Sequence, residues 1–94
     1  MKYYLGKVGE RNGDLEYSDV YLFKTEGDPE EFGEMTAMEW RGSTWDDFDE
    51  EHNAWWCDHT LIYNEGCREI PEEDFIVLNK YIPAMPTPLI LQEK

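Results

Sequence analysis

Acidic side chains crowd the middle of this sequence, and they are the residues best suited to do chemistry. Between residues 26 and 51 there are eleven acids and one base, so the segment carries a net charge of −10. The acids are Glu26, Asp28, Glu30, Glu31, Glu34, Glu39, Asp46, Asp47, Asp49, Glu50 and Glu51, and the base is Arg41. Trp45 and Phe48 lie among them. Aromatic anchors among charges are typical of a surface that binds another protein.

The charge density of this segment is comparable to that of DNA. Duplex DNA carries one negative charge per about 1.7 Å of axis, so ten charges correspond to about 17 Å of duplex. A helix of about 13 residues is about 20 Å long, and carboxylates three or four residues apart on it lie about 6 Å apart. The segment could therefore present a lattice of negative charges to a groove that binds phosphates. The alternative is that the acids serve only solubility.

Two arrangements could bind a metal ion, and neither has the required spacing. Asp47, Asp49 and Glu51 alternate like the start of a calcium-binding loop, but His52 stands where such a loop needs glycine and Asp58 where it needs glutamate. Side chains of the types that bind zinc are also present, in His52, Cys57, His59 and Cys67. They lack the paired Cys-x-x-Cys or His-x-x-x-His spacing of a zinc site. If Cys57 and His59 lie on one strand they share a face, where filling the core is the simpler role. We expect no metal and no cofactor.

An enzyme is not expected either. The glycines near the amino terminus lie in a predicted hairpin and not before a helix, so they do not form a phosphate-binding loop. A cysteine and a histidine on the inward face of a strand would lack the access that a nucleophile and its base need.

The strands that must position these residues follow from alternation and from turn-forming residues. We predict strands over residues 2–8, 15–25, 54–63 and 67–70. The first two form an antiparallel hairpin through a turn rich in glycine and asparagine, and Asn64-Glu65-Gly66 makes a turn between the last two. The polar stretch 43–53 is a loop that carries Trp45 and Phe48.

Two helices begin with proline and acids. Asp28 is the predicted N-cap of a helix over residues 29 to about 41, with Gly42 placed to end it. Glu39 falls inside the apolar stripe of that helix, so either the helix ends early or this carboxylate lies at the edge of the core. The second helix spans residues 71–82 and buries Phe75, Leu78 and Ile82.

These elements predict an α+β fold, with a small antiparallel sheet of three to four strands and two helices on one face, in the order ββαββα. Residues 1–83 form the single domain, and residues 84–94 form an extended proline-rich tail. The two cysteines are expected to be reduced, and neither a signal peptide nor a membrane span is visible. We therefore expect a cytoplasmic protein.

In its small size, extreme acidity and abundant aromatics, the chain resembles inhibitors of the DNA-mimic type that phages and mobile elements encode, such as antirestriction and anti-CRISPR proteins. The resemblance is one of composition, covers mainly residues 26–51 and includes no diagnostic motif. It implies a target with a basic channel for nucleic acid, such as a nuclease or effector complex, and a host cytoplasm if the protein is phage-encoded.

The sequence thus predicts a non-enzymatic inhibitor that occupies a basic protein groove and contacts neither nucleic acid nor membrane. The predicted partner-binding residues are Glu30, Glu31, Glu34, Trp45, Asp46, Asp47, Phe48, Asp49, Glu50 and Glu51. Reversing the charge of Asp46, Asp47 and Asp49 is the natural test. The alternative is a small adaptor that binds through a sheet edge or through Leu89-Ile90-Leu91. An exposed strand edge could also pair two copies into a homodimer.

Overall fold

The computed structural model describes residues 1–92, which form an α+β fold around one five-stranded antiparallel sheet. The strands are β1 (Lys2–Asn12), β2 (Leu15–Thr25), β3 (Phe48–Asp49), β4 (Ala54–Cys57) and β5 (Thr60–Ile70), arranged in the order β2-β1-β5-β4-β3. The helices are α1 (Pro29–Glu39), α2 (Glu72–Leu78) and α3 (Leu89–Gln92), with a 3-10 helix at Trp45–Asp47. The predicted class and antiparallel sheet are confirmed. The predicted three to four strands, two helices and ββαββα order differ in detail.

The predicted amino-terminal hairpin is confirmed and is longer than expected. β1 and β2 pair along their whole length, from Lys2 opposite Thr25 to Asn12 opposite Leu15. Gly13, at the reversal, has a φ of 63°, a conformation that glycine adopts without steric cost. β1 therefore runs four residues past its predicted end at residue 8.

The predicted single strand over residues 54–63 is wrong, because the chain turns in its middle. Asp58 has a φ of 55°, which ends β4 at Cys57 and lets β5 begin at Thr60 beside it. The turn predicted at residues 64–66 is instead a β-bulge within β5, where Gly66 has a φ of 101°. The Asn64 side chain accepts a hydrogen bond of 3.0 Å from the Gly66 amide. Glycine is common in both turns and bulges because some types of each require a positive φ.

One face of the sheet and α1 enclose the core. Tyr4, Tyr21 and Phe23 extend from the first two strands, and Phe32 of α1 stacks on Phe23 with ring centroids 4.2 Å apart. The predicted cap of α1 is confirmed, since the Asp28 carboxylate accepts a 2.9 Å hydrogen bond from the Glu30 amide. The helix ends at Glu39, two residues before its predicted end.

The second helix does not lie on the face that α1 covers. Side chains alternate along a strand, so Tyr3 points away from the face that carries Tyr4. The Tyr3 ring packs against Phe75 of α2 at 5.0 Å, and its hydroxyl donates a 2.9 Å hydrogen bond to Glu72. The expectation of both helices on one face is therefore wrong. The expected buried stripe of α2 is only half-buried, at Phe75, Leu78 and Ile82, while the other residues from 71 to 82 are exposed.

The carboxyl-terminal segment packs onto the domain. Leu22 in β2 donates a 2.9 Å hydrogen bond to the Pro83 carbonyl and accepts one of 2.8 Å from the Met85 amide. Ile90 and Leu91 pack against the core. The predicted tail is thus extended only up to Pro88, because Leu89–Gln92 is helical, and its residues 93 and 94 lie outside the described residues.

Glu39 connects this segment to α1. Its carboxylate accepts hydrogen bonds of 2.9 and 3.1 Å from the backbone amides of Leu89 and Ile90. An acid inside the apolar stripe of α1 is thereby explained, since it lies at the edge of the core and supplies acceptors for the free amides that begin α3.

Candidate partner-binding surface

The exposed side of α1 presents three of the predicted acids. Glu30 is exposed in the first turn, where its charge complements the helix dipole, and Glu31 and Glu34 are half-buried. The Glu34 carboxylate accepts hydrogen bonds from the side-chain amides of Asn53 at 3.5 Å and Asn64 at 3.4 Å. These amides are neutral, so they orient the Glu34 carboxylate without cancelling its charge.

The acids of the following loop divide into two groups. Asp46, Glu50 and Glu51 are exposed. Asp47 belongs to a capping box, in which its carboxylate accepts a 2.9 Å hydrogen bond from the Thr44 amide and Thr44 accepts from the start of the 3-10 helix. Asp47 therefore helps to fix the loop conformation in addition to contributing charge.

Asp49 likewise has a structural role. Its carboxylate accepts a 3.0 Å hydrogen bond from the Trp56 indole and lies 2.9 Å from the His52 ring. These hydrogen bonds, that of Trp56 first, hold the pKa of the Asp49 carboxyl below its usual range. Reversing the charge at Asp47 or Asp49 would disturb the loop itself, so the reversal suggested by the sequence is not a clean test.

Three aromatic rings meet beside these acids. The ring centroid of Trp45 lies 5.5 Å from that of Phe48 and 5.9 Å from that of Trp55, and the centroids of Phe48 and Trp55 are 5.1 Å apart. Trp55 is buried, Phe48 is half-buried and Trp45 is 52% exposed. The two loop aromatics therefore pack towards the core, while about half of the Trp45 surface remains exposed to solvent.

These rings line a groove of about 560 Å³. Glu31, Glu34 and Met35 of α1 form one side, and Ile90 and Leu91 contribute the carboxyl-terminal wall. A volume of this size falls within the range of about 300–1,000 Å³ found for pockets that hold ligands. The structure thus brings predicted residues from α1 and from the loop to one apolar groove with carboxylates beside it.

Sequence reasoning missed the groove because several of its residues come from distant segments. Trp55 reaches Phe48 through the pairing of β4 with the two-residue strand β3, which is too short to show alternation. Ile90 and Leu91 were assigned to a tail, and nothing in their apolar pattern indicates where they pack.

The structure brings together a different set of possible metal ligands from the two sets considered in the sequence. Among residues 1–92, one group of three or more candidate ligands has all its ligand atoms within 4.8 Å of one another, and it comprises Asp49, Glu51 and His52. It contains neither cysteine. Cys57 ends β4 and His59 lies in the turn that follows, so the shared strand face expected for them does not exist.

Four of the bases lie together on one face of the sheet. Arg41, the base of the acidic segment, pairs with buried Glu10 of β1, which lies outside that segment. The register of β1 with β2 and β5 places four other bases on the sheet face opposite α1. They are Lys7, Arg11, Lys24 and Arg68. The side formed by α1 and the loop, here called the acidic side, therefore carries its acids without these four bases. The opposite face carries the four bases together with acids such as Glu65, which pairs with Lys7 at 3.3 Å.

Within residues 1–92, no helix has the length and apolar character needed to cross a bilayer. Comparisons of this chain with protein-family models, with curated proteins and with solved structures give no match.

Proposed function

We propose that this protein is a non-enzymatic binding protein that occupies the basic groove of a nucleic-acid-binding protein and so excludes the nucleic acid. The contact surface is the acidic side formed by α1 and the loop, with Trp45 as an apolar anchor. Partner and inhibitor are drawn to each other by charge, so association is fast at low salt and weakens as salt rises.

One observation carries the proposal: exposed acids surround a half-exposed tryptophan at a preformed groove, while four bases lie on the opposite sheet face. Acids also lie on the opposite face, where Glu65 pairs with Lys7, so the two sides differ in where the bases lie. α1 is about 16 Å long and carries four acids, fewer than half of the roughly ten charges on an equal length of duplex DNA. Together with the loop, α1 can present negative charge over the width of a phosphate-binding groove.

The test compares two variants that lose the same number of negative charges, one on the proposed surface and one elsewhere. One variant carries Asp46→Lys, Glu50→Lys and Glu51→Lys on the proposed surface. The matched control carries Glu16→Lys, Asp19→Lys and Glu73→Lys, which are also exposed but lie in β2 and α2. Both variants raise the net charge by six and leave the structural bonds of Asp47 and Asp49 intact.

Each protein is used as bait in a host lysate at low and high salt. Wild type and the control variant are expected to capture the same nucleic-acid-binding protein, and salt or added duplex should release it. The loop variant should capture at least tenfold less of it. Equal capture by both variants would contradict the proposal, since only net charge would then matter.

A second candidate function has its own support. α2 exposes Ile76 and Val77 at 59% and 54%, and Tyr81 just beyond the helix is 84% exposed. Neighbouring exposed apolar residues often mark an interaction site. The affinity of an adaptor that binds through this surface would not depend on salt concentration, and its acids would serve only solubility.

A further inference from the structure

The groove beside α1 combines two chemistries that recognise a cation. Trp45 is 52% exposed and shares the groove with Phe48, so a cation can approach the face of an aromatic ring. Glu34 lines the same groove, and its carboxylate is held by two neutral amides from Asn53 and Asn64. Both hydrogen bonds are accepted by Oε1 and are long, at 3.5 and 3.4 Å, so they restrict the carboxylate only in part and leave Oε2 to pair with a cation.

Arginine fits this combination better than lysine does. A guanidinium is planar, stacks on aromatic faces and can donate two parallel hydrogen bonds to one carboxylate. It is also more weakly hydrated than an ammonium, so entering a groove lined by aromatic and apolar side chains costs it less. The apolar wall formed by Ile90 and Leu91 suits the aliphatic part of the same side chain.

We propose that the groove receives an arginine side chain of the basic partner, with its guanidinium on Trp45 and paired to Glu34. This inference rests on the proposed function and adds the chemistry of the anchor. The acidic surface brings the partner in, and the groove selects a partner that presents arginine at this point.

The probes are three short peptides of identical length in which two positions are arginine, lysine or citrulline. Citrulline has nearly the shape of arginine but no charge. Binding is followed by NMR through the indole N–H signals of the four tryptophans, of which Trp40 and Trp56 do not line the groove. We expect the arginine peptide to move the Trp45 signal and to bind at least about fivefold more tightly than the lysine peptide.

The matched variants are Glu34→Gln and, away from the groove in α2, Glu73→Gln, each of which removes one charge. Glutamine can still accept the hydrogen bonds of Asn53 and Asn64, so Glu34→Gln keeps the groove intact. It should weaken binding of the arginine peptide about fivefold and abolish its preference over lysine, whereas Glu73→Gln should change binding less than twofold.

Two results would overturn the inference in different ways. If the arginine and lysine peptides bind equally and the Trp45 signal does not move, the anchor is wrong while the acidic surface stands. If neither cationic peptide binds more tightly than the citrulline peptide at low salt, the proposed acidic surface is itself wrong.

Discussion

α1 and α2 begin in the same way and end in very different surroundings. Each has proline at its start followed by two or three acids, yet α1 buries six residues and α2 buries none. α1 has a side-chain cap in Asp28, whereas Pro71 at the start of α2 provides none. Local residues thus determine where a helix begins. Its burial depends on the sheet face that it meets.

The two helices differ in burial because they pack against different faces of the sheet. α1 lies over the aromatic rings of β1 and β2, while α2 packs mainly against the single ring of Tyr3. Consequently α1 is firmly held and turns its acids outward, and α2 leaves apolar side chains exposed. The two helices therefore offer two surfaces, one acidic with a groove and one apolar, and the two candidate functions correspond to them.

The largest difference is expected for the phenylalanine on each helix. Phe32 is buried and stacked on Phe23, so Phe32→Ala should lower the free energy of unfolding by about 4 kcal/mol. Phe75 is only half-buried, so Phe75→Ala should cost about 1 kcal/mol. Urea unfolding of both variants measures this, and similar costs would mean that α2 is packed as firmly as α1.

The next effect compares the base two residues beyond each helix. Arg41 pairs with buried Glu10, so Arg41→Met leaves that carboxylate without its cation and should cost about 3 kcal/mol. Lys80 follows α2 at the same distance and is exposed, so Lys80→Met should change stability by less than about 0.5 kcal/mol. A small cost at Arg41 in urea unfolding would contradict a structural role for the ion pair.

Tyr21, beneath α1, should make stability fall at high pH. Burial raises the pKa of Tyr21 to about 12 from its ordinary 10, so the unfolded chain releases this proton first. The stabilisation is complete below pH 10 and is lost as pH rises towards 12, by about 2 kcal/mol at pH 12. Unfolding of wild type and Tyr21→Phe across this range isolates the effect, and parallel curves would contradict it.

The smallest effect concerns the caps. Asp28→Ala removes the acceptor for the Glu30 amide and should cost about 1 kcal/mol, while Asp28→Asn should cost only a few tenths. Thermal unfolding resolves the two variants. An equal loss in both would show that the charge of Asp28, and not its hydrogen bond, supports α1.

The sequence allowed the hairpin, the start of α1 and the α+β class to be predicted, because each depends on neighbouring residues. Gly66 is consistent with a turn or with a bulge, since glycine allows the positive φ found in many of both. Asp58 lies inside a stretch that alternation predicts as one strand, so its turn is not visible in the sequence. The acidic residues of the candidate site were predicted from composition. The groove was not, because Trp55 and Ile90 reach it only through tertiary packing.

Glu10 is another residue whose surroundings depend on tertiary packing and cannot be predicted from neighbouring residues. Its place in β1 puts it on the face of Tyr4 and Val8, so alternation alone would bury it. A carboxylate at such a position is stable only with a partner, and Arg41 is 31 residues away along the chain. Its burial could be predicted only together with the fold that brings Arg41 to it.

The most direct test of the account sets the two surfaces against each other in one binding assay. Three proteins are each used to capture partners from lysate. They are the wild type, the loop variant with Asp46→Lys, Glu50→Lys and Glu51→Lys, and an α2 variant with Ile76→Ser, Val77→Ser and Tyr81→Ser. The account predicts that the α2 variant retains a nucleic-acid-binding partner which the loop variant loses and which added duplex displaces. Retention by the loop variant together with loss by the α2 variant would contradict it and assign binding to the apolar surface.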